Sequence, residues 1–261
     1  MKRTHIQFDF STFPDLYHPL LKDADLYDSS CSSIAQVFFI DKDNGYYLKC
    51  APKGALETEA KLTRYFYQKE LGPQVLSYIS VEKDWLLTER AIGEDCSYFE
   101  YLQDPCRLCD TIAELLQKLH AVDFTDCPVP NRTEHYLATV GRNYHAGRYD
   151  CTFLSDPWVF SSEKEAWEVA KKHKHLLKTD TLLHGDYCLP NIILNDWKFS
   201  KFIDLGNGGV GDKHIDLFWG VWSLAYNLKT NRYQERFLDA YGRSSIEPEM
   251  LRVIAAMEVF R

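Results

Sequence analysis

The fold of this chain is decided by the stretch Leu183-His184-Gly185-Asp186-Tyr187-Cys188-Leu189-Pro190-Asn191 and by Ile203-Asp204-Leu205-Gly206, which follows it closely. Between them lie the apolar run Ile192-Ile193-Leu194, a polar turn at Asn195-Asp196 and a second apolar stretch that ends at Ile203. This order predicts a short β-hairpin that carries Asp204 back beside Asn191.

Asp186, Asn191 and Asp204 form a chemically specific set. Asp186 and Asn191 have the spacing of the H-x-D-x-x-x-x-N loop, in which the aspartate accepts the proton of an attacking hydroxyl and the asparagine holds a metal ion. Asp204 is then the second magnesium ligand, because Mg²⁺ takes oxygen ligands and usually only one or two carboxylates. Either aspartate alone is better explained as a turn cap or a strand end. Together with the asparagine in register, they predict phosphoryl transfer with Asp186 as the catalytic residue.

These residues also carry a resemblance to a known family. His184-Gly185-Asp186 with Asn191, followed by Ile203-Asp204-Leu205-Gly206, resembles the signature of the aminoglycoside phosphotransferases, and in particular the 3'-phosphotransferases, or kanamycin kinases. The resemblance covers nearly the whole chain. It implies an α+β, two-lobed protein-kinase-like fold, with a small antiparallel-sheet nucleotide-binding lobe at residues 1–92. A mainly helical lobe for catalysis and substrate binding is expected at residues 93–261.

Composition limits the classes of partner and location. The chain has 261 residues, of which 45% are hydrophobic, enough to bury a large core as one unit or as two packed lobes. Its net charge of -8 argues against a nucleic-acid surface and suits a cationic small molecule. The start has no apolar signal-peptide region, and no stretch approaches eighteen apolar residues. We therefore expect a cytoplasmic protein without membrane contact, a monomer or weak dimer, whose eight scattered cysteines stay reduced.

A lysine and a glutamate near the start predict a nucleotide site. Strand-like runs at residues 35–40 and 46–50 flank Asn44-Gly45, a strong hairpin signal, and Lys49 lies in the second run. A helix predicted over residues 56–68 places Glu59 on its apolar side, where an unpaired carboxylate would be costly. Lys49 is the natural partner, giving the ion pair that orders the nucleotide phosphates in kinases. Glu57 falls on the polar side.

Two further segments complete the expected nucleotide site. The serine-rich loop at residues 29–33 opens the hairpin without any glycine, and the resemblance puts Ser33 and Ile34 nearest the phosphates. The backbone from Glu89 to Ala91 is the expected hinge that holds adenine. The implied donor is ATP, with GTP as an alternative, and the implied metal is Mg²⁺.

The acceptor side rests on the resemblance alone. The segment of residues 131–180 corresponds to an insert that forms one wall of the antibiotic site in the family, from which Asp150 and Asp156 are carried over. Glu258 in the last helix would face cationic amino sugars. The family usually has arginine where Asn207 stands, so this position puts the identity of the substrate in question.

Two polar residues of the second lobe are expected to be structural. His120 ends a strongly periodic helix and is interpreted as a packed histidine rather than a catalytic one. Asp216 begins a very apolar helix, residues 217–228, and is interpreted as a helix cap or as an anchor for the catalytic loop.

The leading functional hypothesis is ATP-dependent phosphorylation of the 3'-hydroxyl of a kanamycin-type aminoglycoside, which would confer resistance. A metabolic kinase of the same fold, acting on choline, ethanolamine, homoserine or a sugar, is the alternative favoured by Asn207 and by the sparse acidic residues of the insert. A non-catalytic nucleotide-binding protein is disfavoured because every residue that the chemistry requires is present.

Overall fold

The computed structural model describes residues 3–31, 35–154 and 160–261. The chain forms two compact units, the first of residues 1–98 and 190–206, the second of residues 99–189 and 207–261. The lobe boundary expected at Gly93 stays a prediction. No helix among the described residues is both long and apolar enough to cross a bilayer.

The strands are β1 (Thr4–His5), β2 (Asp25–Asp28), β3 (Gln36–Asp41), β4 (Tyr46–Pro52), β5 (Val75–Ser80), β6 (Lys83–Glu89), β7 (Glu94–Asp95), β8 (Thr181–Leu183), β9 (Ile192–Asn195), β10 (Lys198–Phe202) and β11 (Gly209–Gly211). The helices are α1 (His18–Leu21), α2 (Glu57–Gln68), α3 (Phe99–Leu102), α4 (Pro105–His120), α5 (Arg132–His145), α6 (Glu163–His173), α7 (His214–Leu228), α8 (Gln234–Tyr241) and α9 (Pro248–Glu258).

The first unit contains an antiparallel sheet in the order β1-β2-β3-β4-β6-β5. The predicted hairpin at residues 35–50 is confirmed as β3 and β4, whose turn uses Gly45 at φ +88°. Leu26, Ile40 and Leu48 are fully buried on one face of this sheet. The edge strand β1 and its neighbour β2 were not predicted, because both are short and lack an apolar alternation.

Helix α2 confirms the helix predicted over residues 56–68. Its apolar side is buried at Ala60, Leu62 and Phe66, which explains why this segment folds as an amphipathic helix. The N–H of Leu56, the residue before the helix, donates to Asp84 Oδ2 at 2.8 Å. Asp84 therefore fixes the start of α2 to the start of β6.

The predicted hairpin after Asn191 is confirmed as β9 and β10, which continue into a three-stranded sheet with β7. Gly93 has φ +114°, and a Cβ there would lie 2.1 Å from the carbonyl oxygen of Leu194. Only glycine fits so close an approach in that conformation. The N–H of Ile203 donates to the carbonyl of Asn191 at 3.0 Å, which closes the hairpin as expected.

The second unit is mainly helical, with the short antiparallel pair β8 and β11 as its sheet. Helix α4 buries Leu108, Ile112 and Leu119, as its periodicity predicted. Helix α6 ends at His173, and a 3₁₀ turn follows it. One predicted bound was wrong: helix α7 begins at His214 rather than at residue 217, so Asp216 lies within its first turn and is not its cap.

Candidate active site

A lysine, a glutamate and an aspartate come together in the first unit. Nζ of Lys49 on β4 lies 2.5 Å from Oε1 of Glu59 on α2 and 2.8 Å from Oδ1 of Asp204. The Lys49 and Glu59 side chains are 19% and 11% exposed, whereas that of Asp204 is 52% exposed. The predicted pair of Lys49 with Glu59 is thus present. Glu57 instead pairs with Lys61 on the exposed side of α2, at 2.6 Å.

Electrostatics in this cluster follow from two carboxylates sharing one ammonium. Burial disfavours the charged form of Lys49, but Glu59 and Asp204 outweigh it and raise the lysine pKa above its ordinary value. Burial raises the pKa of Glu59, with Lys49 opposing the shift and Asp204 adding to it. A cation bound at Asp204 would relieve this excess of negative charge beside Lys49.

Asn191 and Asp204 offer oxygen atoms, the ligand type that Mg²⁺ requires. Asp204 has φ +59°, a left-handed conformation that is uncommon outside glycine. In the described ranges, no group of three or more histidine, cysteine, aspartate and glutamate side chains could hold a metal by itself. The two residues therefore fit a magnesium ion that takes its remaining ligands from phosphate and water.

The other expected nucleotide contacts are less fully defined. Ser33 and Ile34 lie outside the described residues. Glu89 ends β6, and its N–H donates to the carbonyl of Gln74 at 3.0 Å. The Glu89 N–H is therefore already paired, so the Glu89 carbonyl oxygen and the Ala91 N–H are the backbone groups that we expect to meet adenine. This hinge contact stays a prediction.

In the second unit, Asp216 holds the backbone that leads to Asp186. Its oxygens accept hydrogen bonds from the N–H groups of His184 and Gly185, each at 2.7 Å. The anchoring role predicted for Asp216 is confirmed. Gly185 has φ +81°, and a Cβ there would lie 1.8 Å from the carbonyl oxygen of Asn207, so glycine is required at this point.

His120 supports this anchor from α4. Its Nε2 lies 3.2 Å from Oδ2 of Asp216, and its Nδ1 lies 2.8 Å from the hydroxyl of Tyr241. The His120 side chain is 5% exposed. The prediction of a packed histidine is confirmed, and its non-catalytic role stays a prediction.

Asp186 has a neighbour that the sequence did not indicate. The thiol of Cys188 donates to Oδ1 of Asp186 at 3.3 Å. Burial, and next the charge of Asp186, raise the Cys188 pKa well above its ordinary value, so the thiol stays protonated as a donor. The N–H of Leu189 donates to the hydroxyl of Ser223 on α7, which fixes the loop just beyond.

Glu258, expected on the acceptor side, is a buried carboxylate close to the same loop. It is 1% exposed and accepts a hydrogen bond from the Tyr136 hydroxyl at 2.9 Å. Both of its oxygens lie 3.4 Å from Nη1 of Arg261, whose Nη2 donates to the carbonyl of Gly185 at 2.9 Å. Sequence reasoning missed this arginine, because no local pattern links it to the catalytic loop. Contact of Glu258 with a substrate stays a prediction.

A second arginine was missed at Asn207. Nη2 of Arg132 on α5 donates to Oδ1 of Asn207 at 3.0 Å. Burial, and next the charge of Arg261, lower the pKa of Arg132 to about 10. A guanidinium is therefore present beside the position where the resembling family has its own arginine.

The expected insert contacts are only partly described. Asp150 is exposed, and its Oδ1 accepts a hydrogen bond from the Thr152 N–H at 2.8 Å. Asp156 lies outside the described residues. Both remain predictions as substrate contacts.

Comparison with known proteins shows the family of this chain. The model of a family described as "Phosphotransferase enzyme family" matches residues 32–255. The chain belongs to the phosphotransferase enzyme family. The predicted resemblance and the prediction of a phosphotransferase are thereby confirmed.

Relatives in this family are similar along nearly the whole chain. A probable aminoglycoside 3'-phosphotransferase of Lactococcus lactis subsp. lactis (strain IL1403) is 47% identical over 256 residues, which is 98% of this chain and 97% of that protein. Among solved structures, an aminoglycoside-3'-phosphotransferase of type VIII superposes with a TM-score of 0.76 at 21% identity, covering 96% of each chain. The Streptomyces rimosus phosphotransferase APH(3'')-Id in complex with ADP and streptomycin gives 0.72 at 21% identity, covering 97% of this chain and 99% of that one. These likenesses confirm the predicted α+β kinase-like fold of the phosphotransferases.

Proposed function

We propose that this phosphotransferase moves the γ-phosphoryl group of ATP to a hydroxyl of an aminoglycoside, at the 3' position as the leading choice. The observation that carries the proposal is the cluster of Lys49, Glu59 and Asp204, whose charges would suit a phosphate group and a metal ion. The name of the 47%-identical relative supports the substrate class, and the complex of the S. rimosus structure supports a nucleotide donor.

On the donor side, the Lys49 ammonium contacts the α- and β-phosphates, and Glu59 keeps it charged and oriented. Magnesium, when bound, neutralises charge that develops on the phosphate oxygens, and Asn191 and Asp204 are the residues that would hold it. Ser33, Ile34 and the backbone of Glu89 and Ala91 are the further nucleotide contacts that we propose. GTP is the alternative donor.

On the acceptor side, Asp186 accepts the hydroxyl proton as the oxygen attacks in line. The bonds from His184 and Gly185 to Asp216 hold the backbone beside Asp186, and the Cys188 thiol holds its carboxylate, so little reorganisation accompanies the proton transfer. Loop position is thus set before the acceptor binds.

The acceptor is a cation, to which a chain of net charge -8 is attractive overall. Asp150, Asp156 and Glu258 are the proposed substrate contacts. We expect a cytoplasmic enzyme, a monomer or weak dimer, that makes its host resistant.

One observation favours the second candidate, a metabolic small-molecule kinase. Glu258 already faces the guanidinium of Arg261, so part of the negative charge that an amino sugar would meet is neutralised within the protein. For a neutral or singly charged acceptor such as a sugar, homoserine or choline, this pairing would reduce the binding affinity less than for an amino sugar with several positive charges.

The test is product formation from ATP and Mg²⁺ with kanamycin, choline, homoserine and a simple sugar, each read by the mass of the acceptor. A single added phosphate on kanamycin, and on no metabolite, is the expected result. Phosphorylation of a metabolite and not of kanamycin would be consistent with the proposed roles of the residues but would show that the proposed substrate is wrong.

A further inference from the structure

Arg261 lies in surroundings that would suit a ligand cation. Its guanidinium meets the Glu258 carboxylate at 3.4 Å, the Gly185 carbonyl at 2.9 Å and the face of Trp219, with Cζ 5.2 Å from the ring centroid. A carboxylate, a carbonyl oxygen and an indole face are the groups that recognise ammonium and guanidinium cations. Asp186, the residue after Gly185, adds its negative charge to these surroundings.

The charges around Arg261 keep it in place as a cation. Burial lowers the pKa of its guanidinium, but Glu258 and Asp186 outweigh burial and leave the pKa raised. Glu258 is 1% exposed, and a carboxylate so deeply buried needs a positively charged partner to offset its loss of hydration. The Arg261 side chain, in contrast, is 17% exposed, so it is the more accessible partner of the pair.

We propose that Arg261 is a specificity-determining residue that acts as a built-in competitor: its guanidinium occupies the cation subsite of Glu258, the Gly185 carbonyl and Trp219, and a cationic acceptor gains this subsite only by displacing it. The inference rests on the proposed function for the identity of the acceptor. With competition of this kind, the apparent affinity equals the intrinsic affinity multiplied by the fraction of molecules in which the subsite is open. Acceptors that do not place a cation there are unaffected.

The first experiment measures the dissociation constant of kanamycin by calorimetry for the wild type, Arg261→Ala and Arg252→Ala. If Arg261 occupies the subsite about nine tenths of the time, Arg261→Ala should bind kanamycin about tenfold more tightly, with ADP binding unchanged. Arg252 is the matched control: it lies within α9, the helix that Arg261 follows, and pairs with exposed Glu165 at 3.3 Å, so its replacement removes the same charge away from the subsite. Unchanged or weaker binding by Arg261→Ala, or an equal gain in Arg252→Ala, would overturn the proposal.

Two variants guard against loss of folding. Arg261→Met keeps the aliphatic packing on Trp219 without the charge, and Arg261→Lys keeps the charge without the planar fork. Circular dichroism establishes which variants are folded. The expected order of kanamycin affinity is Met above Lys and Lys at or above wild type. If Arg261→Lys bound kanamycin more tightly than Arg261→Met, the acceptor would not have to displace a positive charge, and the proposal would be wrong.

A separate readout does not depend on aminoglycosides. Ethylammonium chloride, compared with sodium chloride at equal ionic strength, should raise the melting temperature of Arg261→Ala saturably, but not that of the wild type or of Arg261→Ala/Glu258→Gln. If no form of the protein phosphorylates kanamycin, the proposed function fails while this measurement still decides the competition. An equal response of all three proteins to ethylammonium would sink the inference alone.

Discussion

The carboxylate of Asp216 accepts a hydrogen bond from the backbone N–H of Gly185 at 2.7 Å, directly before Asp186. Asp216→Ala would leave this donor and the N–H of His184 buried without an acceptor, at about 1–3 kcal/mol for each group. We expect lower stability in urea and a turnover reduced by about 10²-fold, since small misplacements of a reacting group cost that much. Nucleotide affinity should persist, because Lys49 lies in the other unit.

The control for this prediction is Asp110→Ala. Asp110 forms an exposed pair with Arg236 at 2.5 Å, and such pairs contribute about 0–1 kcal/mol. If Asp216→Ala resembled Asp110→Ala in both urea midpoint and turnover, the anchoring role would be wrong.

Lys49→Ala and Glu59→Ala should weaken nucleotide binding to a similar extent. A hydrogen bond to a charged group contributes about 1.5–3 kcal/mol, so the expected loss is about 10- to 100-fold in ADP affinity. Glu57→Ala is the matched control on the same helix, because Glu57 pairs with Lys61 at the surface. Fluorescence titration with a labelled ADP measures all three. A normal titration for Glu59→Ala would show that Lys49 needs no partner.

Much of this nucleotide cluster could be predicted from the sequence, since its parts have local signatures. The Asn44-Gly45 hairpin fixed the strand of Lys49, and the helical period of residues 56–68 turned Glu59 inward. The hairpin predicted that Asp204 lies beside Asn191. Each of these predictions depends on residues near one another in the chain, where periodicity and turn chemistry are informative. The contact of Asp204 with Lys49 joins residues 155 positions apart and was not predicted.

The contacts of Arg261 with Gly185 and of Arg132 with Asn207 could not be predicted in that way. Each joins residues more than seventy positions apart, and neither arginine belongs to a periodic or motif position. A lone arginine in a sequence is usually a solvated surface residue. Only packing of α5 and of the residues after α9 against the catalytic loop reveals them.

Asp186→Asn should reduce turnover by about 10² to 10⁴, the range for a positioned acid–base group. Its affinity for ADP should stay close to that of the wild type. Asp180→Asn, at an exposed aspartate of the same unit, makes the same chemical change and should keep activity. Turnover is read as phosphorylated acceptor by mass. Wild-type-like turnover in Asp186→Asn would remove Asp186 from the mechanism.

Asp84 predicts a dependence of stability on pH. Burial alone would raise its pKa, but nearby polar groups, Ser80 foremost, outweigh burial and hold the pKa below 3.8; the Leu56 N–H and the Tyr78 hydroxyl donate to Oδ2. A carboxyl with a depressed folded-state pKa stabilises the fold above its unfolded pKa and loses that contribution as pH falls through the folded value. The advantage of the wild type over Asp84→Asn in urea should therefore be full at pH 7 and shrink below pH 3.8. An advantage that stayed constant down to pH 2 would contradict this assignment.

We expect that the effects on stability of replacing Arg132 and Asn207 are not additive, because the two side chains are hydrogen-bonded. The Arg132 guanidinium donates to Oδ1 of Asn207 at 3.0 Å, and its pKa, lowered to about 10 by burial and by Arg261, shows that positive charge is already unfavourable there. Asn207→Arg should therefore destabilise the protein by about 1–3 kcal/mol, because it removes the acceptor and adds a second cation. The exchanged variant Arg132→Asn/Asn207→Arg should recover part of the loss, with a coupling of about 0.5–3 kcal/mol in a double-mutant cycle measured by urea unfolding. Simple addition of the two single effects would mean that the two side chains act independently.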